Sequence, residues 1–319
     1  MADQDQRRPI VVIGSINMDL VCRTPHMPGP GQTLLGSDFV TLPGGKGANQ
    51  AVAAAKLGGL VHMIGRVGDD DFGQHLLNGL TRHGVEIGRV TVTEGAASGV
   101  AMILVDPEGE NSIVVAPGAN ARLTPADVDA AEALIQSASV VVLQLEIPLP
   151  TARHAIALCQ RLGVHTILDP APVPPRGLPR PFYGVDVLTP NQSEAELLAG
   201  LEPTHHVTRK RIMEPKQVGT ELLSRGPKAV VLKLGAKGAM VLDRNGRIER
   251  IKPFKVKVVD TTAAGDAFTG AMAVAHSEGW DLMKAARFAT AAGALCCQGF
   301  GAQPALPSRG EVDELMASE

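Results

Sequence analysis

Short apolar runs alternate with helical segments over most of the chain, and this alternation limits the fold more than any other feature. Residues 10–16 and 140–145 are almost continuously apolar, which is typical of strands covered on both faces. Residues 46–57 and 151–162 follow such runs and have helical character. Strands that alternate with helices indicate βαβ units, so we predict an α/β fold with a mostly parallel sheet covered by helices. Further strands are predicted at 61–67, 164–169 and 229–234, and a further helix at 72–83.

Two regions break this alternation, because apolar runs follow each other there without a helix between them. They are about 20–41 and 98–116. In the second region, Pro107-Glu108-Gly109 is a turn signal between two apolar runs. The two regions could form a small antiparallel sheet, whose open face needs a partner. A lid over a site, a dimer contact and a peripheral hairpin without a role are all open at this point.

Composition and sequence patterns disfavour several classes of protein. The chain has 319 residues and a net charge of −3, so no positive field would concentrate nucleic acid or anionic lipid. Its four cysteines show no CxxC spacing and its nine histidines no HExxH pattern, which disfavours disulfides and a zinc site. Residues 1–8 are polar and contain no apolar signal core. We expect a cytoplasmic protein with no membrane or nucleic-acid partner, in which the polar segment 202–217 is an inserted loop.

The most informative stretch is residues 258–268, where small residues lie before an alanine-rich helix. An apolar strand is predicted to end at Val259, and the helix to run from about Asp266 to His276. Small residues let the free N–H groups of a first helical turn approach an anion. The carboxylate of Asp266 would repel a phosphate there unless it accepted a proton. That combination suits phosphoryl transfer to a hydroxyl group, although an aspartate near a helix start is also a common N-cap.

The familiar nucleotide signatures are missing. The dipeptide Gly45-Lys46 does not lie in a GxxxxGK[ST] motif, because Val40 and Gly47 occupy the flanking key positions. The first strand is followed by Gly14-Ser15-Ile16-Asn17 and not by GxGxxG, which disfavours a Rossmann dehydrogenase. Any ATP must be held by other means.

A second polar group lies in the N-terminal half and is suited to vicinal hydroxyls. Asn17 and Asp19 are two residues apart, so on a strand they face the same way. Lys46 and Asn49 are three apart at the start of a helix and share one of its faces, and Glu146 follows an apolar strand at the edge where parallel sheets bind ligands. Turn and capping chemistry is the alternative explanation. The candidate residues are Asn17, Asp19, Gly45, Lys46, Asn49 and Glu146.

Two runs together carry a resemblance to a known family. Residues 44–51 and 260–268 resemble the two signatures of the ribokinase-like carbohydrate kinase family, and the likeness extends from residue 10 to about 314. It implies one domain over 1–319, a three-layer α/β/α sandwich with a small β-sheet lid formed by about 20–41 and 98–116. It also implies transfer of the ATP γ-phosphate to O5 of D-ribose, giving D-ribose 5-phosphate and ADP.

The resemblance assigns the reacting groups by position. Asp266 would be the catalytic base, and the amides of Ala263, Ala264 and Gly265 would form an anion hole. The six candidate residues above would bind ribose together with Asp266. Asn191 and Glu194 would organise the Mg²⁺ and phosphate region through water, as Mg²⁺ prefers. The ATP residues would be Asn191, Lys233, Gly235, Gly238, Gly265 and Thr290.

The resemblance also implies an activating K⁺ ion and a homodimer formed through the lid sheets. The K⁺ ligands would come from Asp260, Thr262, Cys296, Gly299, Gly301 and Ala305. Relatives that act on fructose, ketodeoxygluconate or adenosine are alternative readings, because a few side chains retune a hydroxyl-binding site. A non-catalytic sugar-binding regulator on the same scaffold is a further alternative, which the carboxylate of Asp266 argues against.

Overall fold

The computed structural model describes residues 8–200 and 213–318, which form thirteen strands and ten α-helices. Most of the predicted loop 202–217 lies outside the described residues. The strands are β1 Ile10–Ile13, β2 Asn17–Arg23, β3 Phe39–Gly44, β4 Val61–Gly68, β5 Val85–Thr93, β6 Gly99–Val105, β7 Asn111–Ala116, β8 Val140–Leu143, β9 His165–Leu168, β10 Val187–Leu188, β11 Ala229–Lys233, β12 Ala239–Asp243 and β13 Ile248–Ile251. The helices are α1 Lys46–Lys56, α2 Asp71–Arg82, α3 Pro125–Asp129, α4 Glu132–Ser137, α5 Leu149–Leu162, α6 Gln192–Leu198, α7 Pro215–Ser224, α8 Ala264–Ser277, α9 Leu282–Cys296 and α10 Arg309–Ala317.

The central sheet is mostly parallel, as predicted. Within the described ranges it has nine strands in the order β13-β12-β11-β10-β9-β8-β1-β4-β5. All neighbours from β11 to β5 pair in parallel, while β12 and β13 pair antiparallel at one edge. The carboxyl ends of the parallel strands therefore meet at one edge of the sheet, where ligands of such folds bind.

Helices cover both faces of this sheet. Ile10 and Val12 of β1 pack into one core with α1, α2, α8, α9 and α10, while Val11 and Ile13 pack into a second core with α3 to α7. Successive side chains of a strand point to opposite faces, so a strand covered on both sides must be apolar throughout. The three-layer α/β/α prediction is confirmed.

A smaller separate sheet comes from the two regions without helices. Its order is β3-β2-β6-β7. The predicted antiparallel arrangement is only partly right, because β2 and β6 pair in parallel. They can do so because β3 and then two helix–strand units, α1-β4 and α2-β5, lie between them in the chain. Large apolar side chains stay exposed on this sheet, among them Phe39, Ile113 and Val114.

The strand predicted to end at Val259 is wrong. The last described strand ends at Ile251, and residues 252–263 contain no strand. Apolar residues do alternate there, but Phe254, Val256 and Val258 line a cleft and take no part in a ladder. The connection is held instead to α9, since the Val259 N–H donates to the Cys297 carbonyl (2.8 Å).

The predicted strand 10–16 is also shorter than expected, ending at Ile13. A Cβ atom on Gly14 would lie 1.9 Å from Gln144 Oε1, so only glycine lets the chain pass here. The break starts β2 in the second sheet, which positions Asn17 and Asp19 over the carboxyl end of β1. In the part of the chain that the structure describes, no helix is long and apolar enough to span a bilayer.

Candidate active site

A cleft of about 730 Å³ lies at the carboxyl edge of the central sheet. The first turn of α8, the end of β11 and the segment after β13 form its walls. Predicted nucleotide and phosphate residues share this lining with apolar side chains from the 254–258 segment. The lining includes Lys46, Asp169, Asn191, Glu194, Lys233, Gly235, Gly238, Phe254, Val256, Ala263, Ala264, Gly265, Asp266 and Thr290.

The predicted sugar residues meet beside this cleft, around Glu146. One oxygen of the Glu146 carboxylate accepts hydrogen bonds from Ser15 Oγ (2.6 Å), from the Lys46 N–H (3.2 Å) and from Asn17 Nδ2 (3.4 Å). Gly45 allows this approach: its φ is 86°, and a Cβ there would lie 2.6 Å from the Asn17 nitrogen. The start of α1, strand β2 and the end of β8 are thereby joined through one carboxylate.

Asp19 lies on the same strand face as Asn17 and is buried. Its carboxylate packs over Gly44, where a Cβ would come within 2.1 Å of Asp19 Oδ2. Burial, together with the charges of Glu146 and Asp266, raises the pKa of Asp19 to about 7. Carboxylates crowded in this way favour a ligand that donates hydrogen bonds, such as a polyol.

Asp266 lies in the first turn of α8, buried but bordering the cleft. Each of its carboxylate oxygens accepts one hydrogen bond, from Asn49 Nδ2 (3.0 Å) and from Gln50 Nε2 (3.0 Å). Burial raises the pKa of Asp266 to about 6, against the opposing charge of Lys46. A carboxylate with that pKa can accept a proton near neutral pH.

Lys46 supplies the compensating positive charge. Burial opposes its charged form, but the carboxylates of Asp266 and Glu146 outweigh burial and raise the pKa of Lys46. The ammonium group therefore stays protonated beside the acids. Such a group can hold the acidic cluster together and stabilise negative charge on a transferred phosphoryl group.

The turn before α8 is strained in a way that exposes amides. Ala263 has a φ of 59°, the one positive value among non-glycine residues in the described ranges. Left-handed backbone costs a residue with a side chain about 1–2 kcal/mol. The turn brings Ala264 and Gly265 into the cleft lining, and N–H groups of a first helical turn have no acceptor within the helix. The Ala264 N–H makes a long hydrogen bond to the Thr261 carbonyl (3.3 Å).

Lys233 and two glycines, all predicted to contact the nucleotide, line one side of the cleft. Lys233 Nζ forms an ion pair with Asp169 Oδ1 (2.8 Å), and both side chains are largely buried. Gly238 has a φ of 81° and a Cβ there would lie 2.1 Å from the Ile251 carbonyl oxygen, so no side chain fits. Gly235 lines the cleft as well. Thr290 also lines the cleft, and its hydroxyl group donates a hydrogen bond to the Ala286 carbonyl of its own helix (2.7 Å).

Asn191 and Glu194 are brought together as the capping box of α6. The Asn191 N–H and Nδ2 each donate to a different oxygen of Glu194 (both 2.8 Å). Burial raises the pKa of Glu194. No cluster of three or more His, Cys, Asp or Glu side chains placed to hold a metal occurs in the described ranges. One carboxylate and one amide fit Mg²⁺ held through water and substrate phosphates.

The segments that contain the predicted K⁺ ligands contact one another next to the turn that precedes α8. Asp260 accepts hydrogen bonds from the Thr262 N–H (2.9 Å) and from the Gly301 N–H (2.9 Å). The Cys296 thiol donates to the Thr262 carbonyl (3.5 Å). A Cβ on Gly299 would lie 2.8 Å from Ala305 Cβ, so these two residues are also in contact. The grouping is compatible with a cation held mainly by carbonyl oxygens, beside the anion-hole turn.

Sequence reasoning missed five polar residues of this region. Ser15 and Asn120 hold the sugar side, where Asn120 Nδ2 donates to Asn17 Oδ1 (2.7 Å). Asp169 directly follows β9, so the rule that singled out Glu146 could have found it. Gln50 and Gln144 are buried amides whose partners lie far away in the sequence. The available signal was a glutamine among the alanines of α1, a position where a polar side chain is unusual.

A second groove, of about 740 Å³, runs along the outer face of α5. It is bordered by Arg153, His154 and Arg180 and contains none of the predicted site residues. The cleft at the carboxyl edge is therefore the candidate active site, because the acids, the lysines and the free helix start converge there.

Known proteins resemble this chain over nearly its whole length. Residues 7–309 match the model of the pfkB family carbohydrate kinases. A ribokinase from Bacillus subtilis is 40% identical over 97% of this chain and 100% of its own length. A crystal structure of a ribokinase from Thermotoga maritima superposes with a TM-score of 0.86 at 35% identity, covering 97% of this chain and 99% of its own. An Arabidopsis thaliana ribokinase complexed with ribose and ATP superposes with a TM-score of 0.83 at 32% identity, covering 97% and 98%.

Proposed function

The chain belongs to the pfkB family of carbohydrate kinases, and on that premise we propose that it phosphorylates D-ribose at O5 with ATP, giving D-ribose 5-phosphate and ADP. The observation that carries the proposal is the buried carboxylate of Asp266 at a free helix start, beside a second acid cluster around Asp19 and Glu146. A proton acceptor and an anion site adjoin there, next to groups suited to hydroxyls. Relatives named as ribokinases over the full length support ribose as the sugar.

In this proposal Asp266 accepts the proton of the ribose O5 hydroxyl as O5 attacks the γ-phosphorus. Asn49 and Gln50 hold the two carboxylate oxygens in place by hydrogen bonds. The amides at the start of α8, from Ala263, Ala264 and Gly265, stabilise the charge on the transferred phosphoryl group. The positive charge of Lys46 acts on Asp266. The same charge also stabilises the transferred phosphoryl group.

Asp19, Asn17 and Asn49 bind the ribose hydroxyls, with Gly45, Lys46 and Glu146 completing the sugar site. Carboxylates accept hydrogen bonds from hydroxyl groups, and side-chain amides both donate and accept them. These groups can therefore fix a small polyol in one orientation. Asn49 Oδ1 is buried without a hydrogen-bond partner, which supports a role as an acceptor for the sugar.

ATP occupies the cleft, in contact with Asn191, Lys233, Gly235, Gly238, Gly265 and Thr290. The apolar side chains of Phe254 and Val256 offer a surface for the base. Asn191 and Glu194 would hold Mg²⁺ through water. Bound Mg²⁺ neutralises charge on the phosphates and helps to align them.

The decisive experiment is a coupled ADP-release assay over a panel of sugars. We expect D-ribose to give the highest kcat/KM, above 2-deoxyribose, fructose, ketodeoxygluconate and adenosine. The Asp266→Asn variant is the negative control, because it lacks the proposed base. A preference for another acceptor would move the proposal to that neighbouring kinase, and no ADP release with any sugar would favour the non-catalytic regulator.

Potassium is expected to activate the enzyme. Replacing K⁺ with Na⁺ or a bulky organic cation should lower kcat several-fold, because Asp260, Thr262, Cys296, Gly299, Gly301 and Ala305 adjoin the anion-hole turn and a fitting cation would order it. Initial rates at constant ionic strength measure this. Asp260→Asn should lose most of the response to K⁺. Equal rates with all cations would remove the cation site from the proposal.

Activity is expected to fall on the acid side of neutrality. The pKa of Asp266 is raised to about 6, so the base is protonated, and inactive, at lower pH. Asp19, with a pKa of about 7 in the empty site, adds to the loss. kcat/KM reports groups of the free enzyme and should fall at least about tenfold from pH 7.5 to pH 5. A profile flat to pH 5 would contradict Asp266 as the base.

The small sheet is proposed to act as a lid and to form a homodimer. Residues paired across its ladders point to the same side, so Val40, Ile113 and Val115 extend the sheet face that carries Asp19. These three apolar side chains are each at least 40% exposed, which supports burial by a second copy.

Light scattering should give a dimer for the wild type and a monomer for Ile113→Asp. Thr91→Asp, on the exposed part of β5 in the main sheet, is the matched control and should stay dimeric. A monomeric wild type would contradict the dimer.

A cytoplasmic location is proposed as well, and four cysteines without a disulfide support it.

A further inference from the structure

Two buried glutamines connect Asp266 to the carboxylate of Asp169. Gln50 Nε2 donates to Asp266 Oδ1 (3.0 Å) and to Asp169 Oδ2 (3.1 Å), so one amide group spans both acids. Gln144 Nε2 donates to Gln50 Oε1 (2.6 Å). Neither glutamine has any exposed surface. Asp169 is held in turn by the Lys233 ion pair (2.8 Å).

The direction of this chain of hydrogen bonds is fixed by chemistry. Ionised carboxylates only accept, so the amide nitrogen of Gln50 must face Asp169 and Asp266. Its oxygen then faces Gln144, which must donate. This leaves Gln144 Oε1 buried without a hydrogen-bond partner, which is destabilising. A leucine of similar size would avoid this unpaired oxygen but would leave Gln50 Oε1 without its donor, so what the glutamine contributes at this position is its hydrogen bond to Gln50.

We propose that Gln50 is a positioning residue that orients the Asp266 carboxylate for proton transfer, and that Gln144 acts through Gln50. The proposal rests on the proposed function of Asp266 as the base. Asn49 holds one carboxylate oxygen and Gln50 holds the other, so the plane of the carboxylate is set. Without Gln50 the carboxylate can rotate, and its ionised form loses a donor.

Gln50→Met tests the first part, because methionine has a similar length and no donor. Its kcat should fall about 10- to 100-fold, the equivalent of one hydrogen bond to a charged group. The dissociation constant for ribose, from calorimetry, should stay within about threefold, since Gln50 donates to Asp266 and Asp169 and to none of the other residues proposed to bind the sugar. The acid limb of the pH profile should move to higher pH. The other charged or titratable groups that face Asp266, namely Lys46, Asp169, Asp19 and Cys296, are all present in this variant, and of these only Asp169 also loses a hydrogen bond from Gln50.

Gln144→Leu tests the second part. It removes no hydrogen bond of Asp266, yet it should lower kcat and move the pH profile in the same direction. Tm should change little, because the variant removes the unpaired Gln144 Oε1 but leaves Gln50 Oε1 without its donor. The double variant should match Gln50→Met alone, because two residues that act in series are not additive. Independent, multiplying effects would overturn the role of Gln144.

Thr166→Val is the matched control for lost buried hydrogen bonding. Thr166 bonds to Asp186 near the opposite end of β9, so its loss should lower Tm and leave the pH profile unchanged. Wild-type kcat and pH profile in Gln50→Met would overturn the proposal, and Gln144→Leu decides in the same way if Gln50→Met does not fold. Inactive Asp266→Asn beside a fully active Gln50→Met would leave the proposed function intact, whereas an active Asp266→Asn would refute the role of Asp266 as the base.

Discussion

Replacing Asp266 with asparagine is expected to lower kcat by about 10²–10⁴-fold, the usual contribution of a positioned general base. Asparagine has nearly the same shape and can still accept a hydrogen bond from Asn49. It cannot take the proton of the sugar hydroxyl at neutral pH. Ribose binding, measured by calorimetry, should therefore stay within about tenfold of the wild type.

Asp127→Asn is the matched control for this substitution. Asp127 forms an ion pair with Arg66 (2.6 Å) away from the cleft, so its loss should lower stability and leave kcat unchanged. An Asp266→Asn enzyme that turns over at the wild-type rate would show that Asp266 is not the base. A variant that loses ribose binding and turnover equally would point to a structural role instead.

The architecture could be predicted because the physical demands on a doubly covered strand act on every residue of it. Runs such as Val140–Leu143 must be apolar throughout, and the helices between the strands impose parallel pairing. The same logic failed after β13, where apolar residues alternate for a different reason. Phe254, Val256 and Val258 line a cleft, and period-two alternation cannot tell that from a strand face.

The candidate site was predictable where its groups are neighbours in the sequence or, like Glu146, follow a predicted strand. Small residues before Asp266, and Lys46 with Asn49, carry a local signature of helix starts and ligand contact. Gln50 and Gln144 are 94 residues apart and meet only in the folded chain. Nothing in their local sequence reveals the hydrogen bond between them.

The strain at Ala263 illustrates a further limit. A left-handed conformation is expected at glycine, and the sequence there offers alanine. The surrounding structure must therefore hold the turn in place, through the packing of α8 and the hydrogen bonds around Asp260. Strained backbone of this kind is found where it serves a site, and sequence patterns contain no direct record of it.

Replacing Asp19 with asparagine should have the second large effect, a fall in kcat/KM for ribose of about 10²–10³-fold. A charged acceptor that binds sugar hydroxyls contributes about 1.5–3 kcal/mol for each hydrogen bond, and a carboxylate can accept two. The KM for ATP should change little, because Asp19 does not border the nucleotide cleft. Steady-state kinetics with each substrate varied in turn measure both effects.

The same substitution should make the empty protein more stable at pH 8. The pKa of Asp19 is raised from 3.8 to about 7 by burial and by the nearby acids, so the folded state binds this proton more tightly than the unfolded chain. The resulting destabilisation is absent below pH 3.8, grows as the pH rises to 7 and is complete above it. Asparagine carries no charge to bury, so Tm of the variant should exceed that of the wild type at pH 8 and approach it near pH 4. A variant that lost both activity and stability at pH 8 would make Asp19 a structural residue, whereas lost activity with a higher Tm is what a carboxylate held in place for a sugar requires.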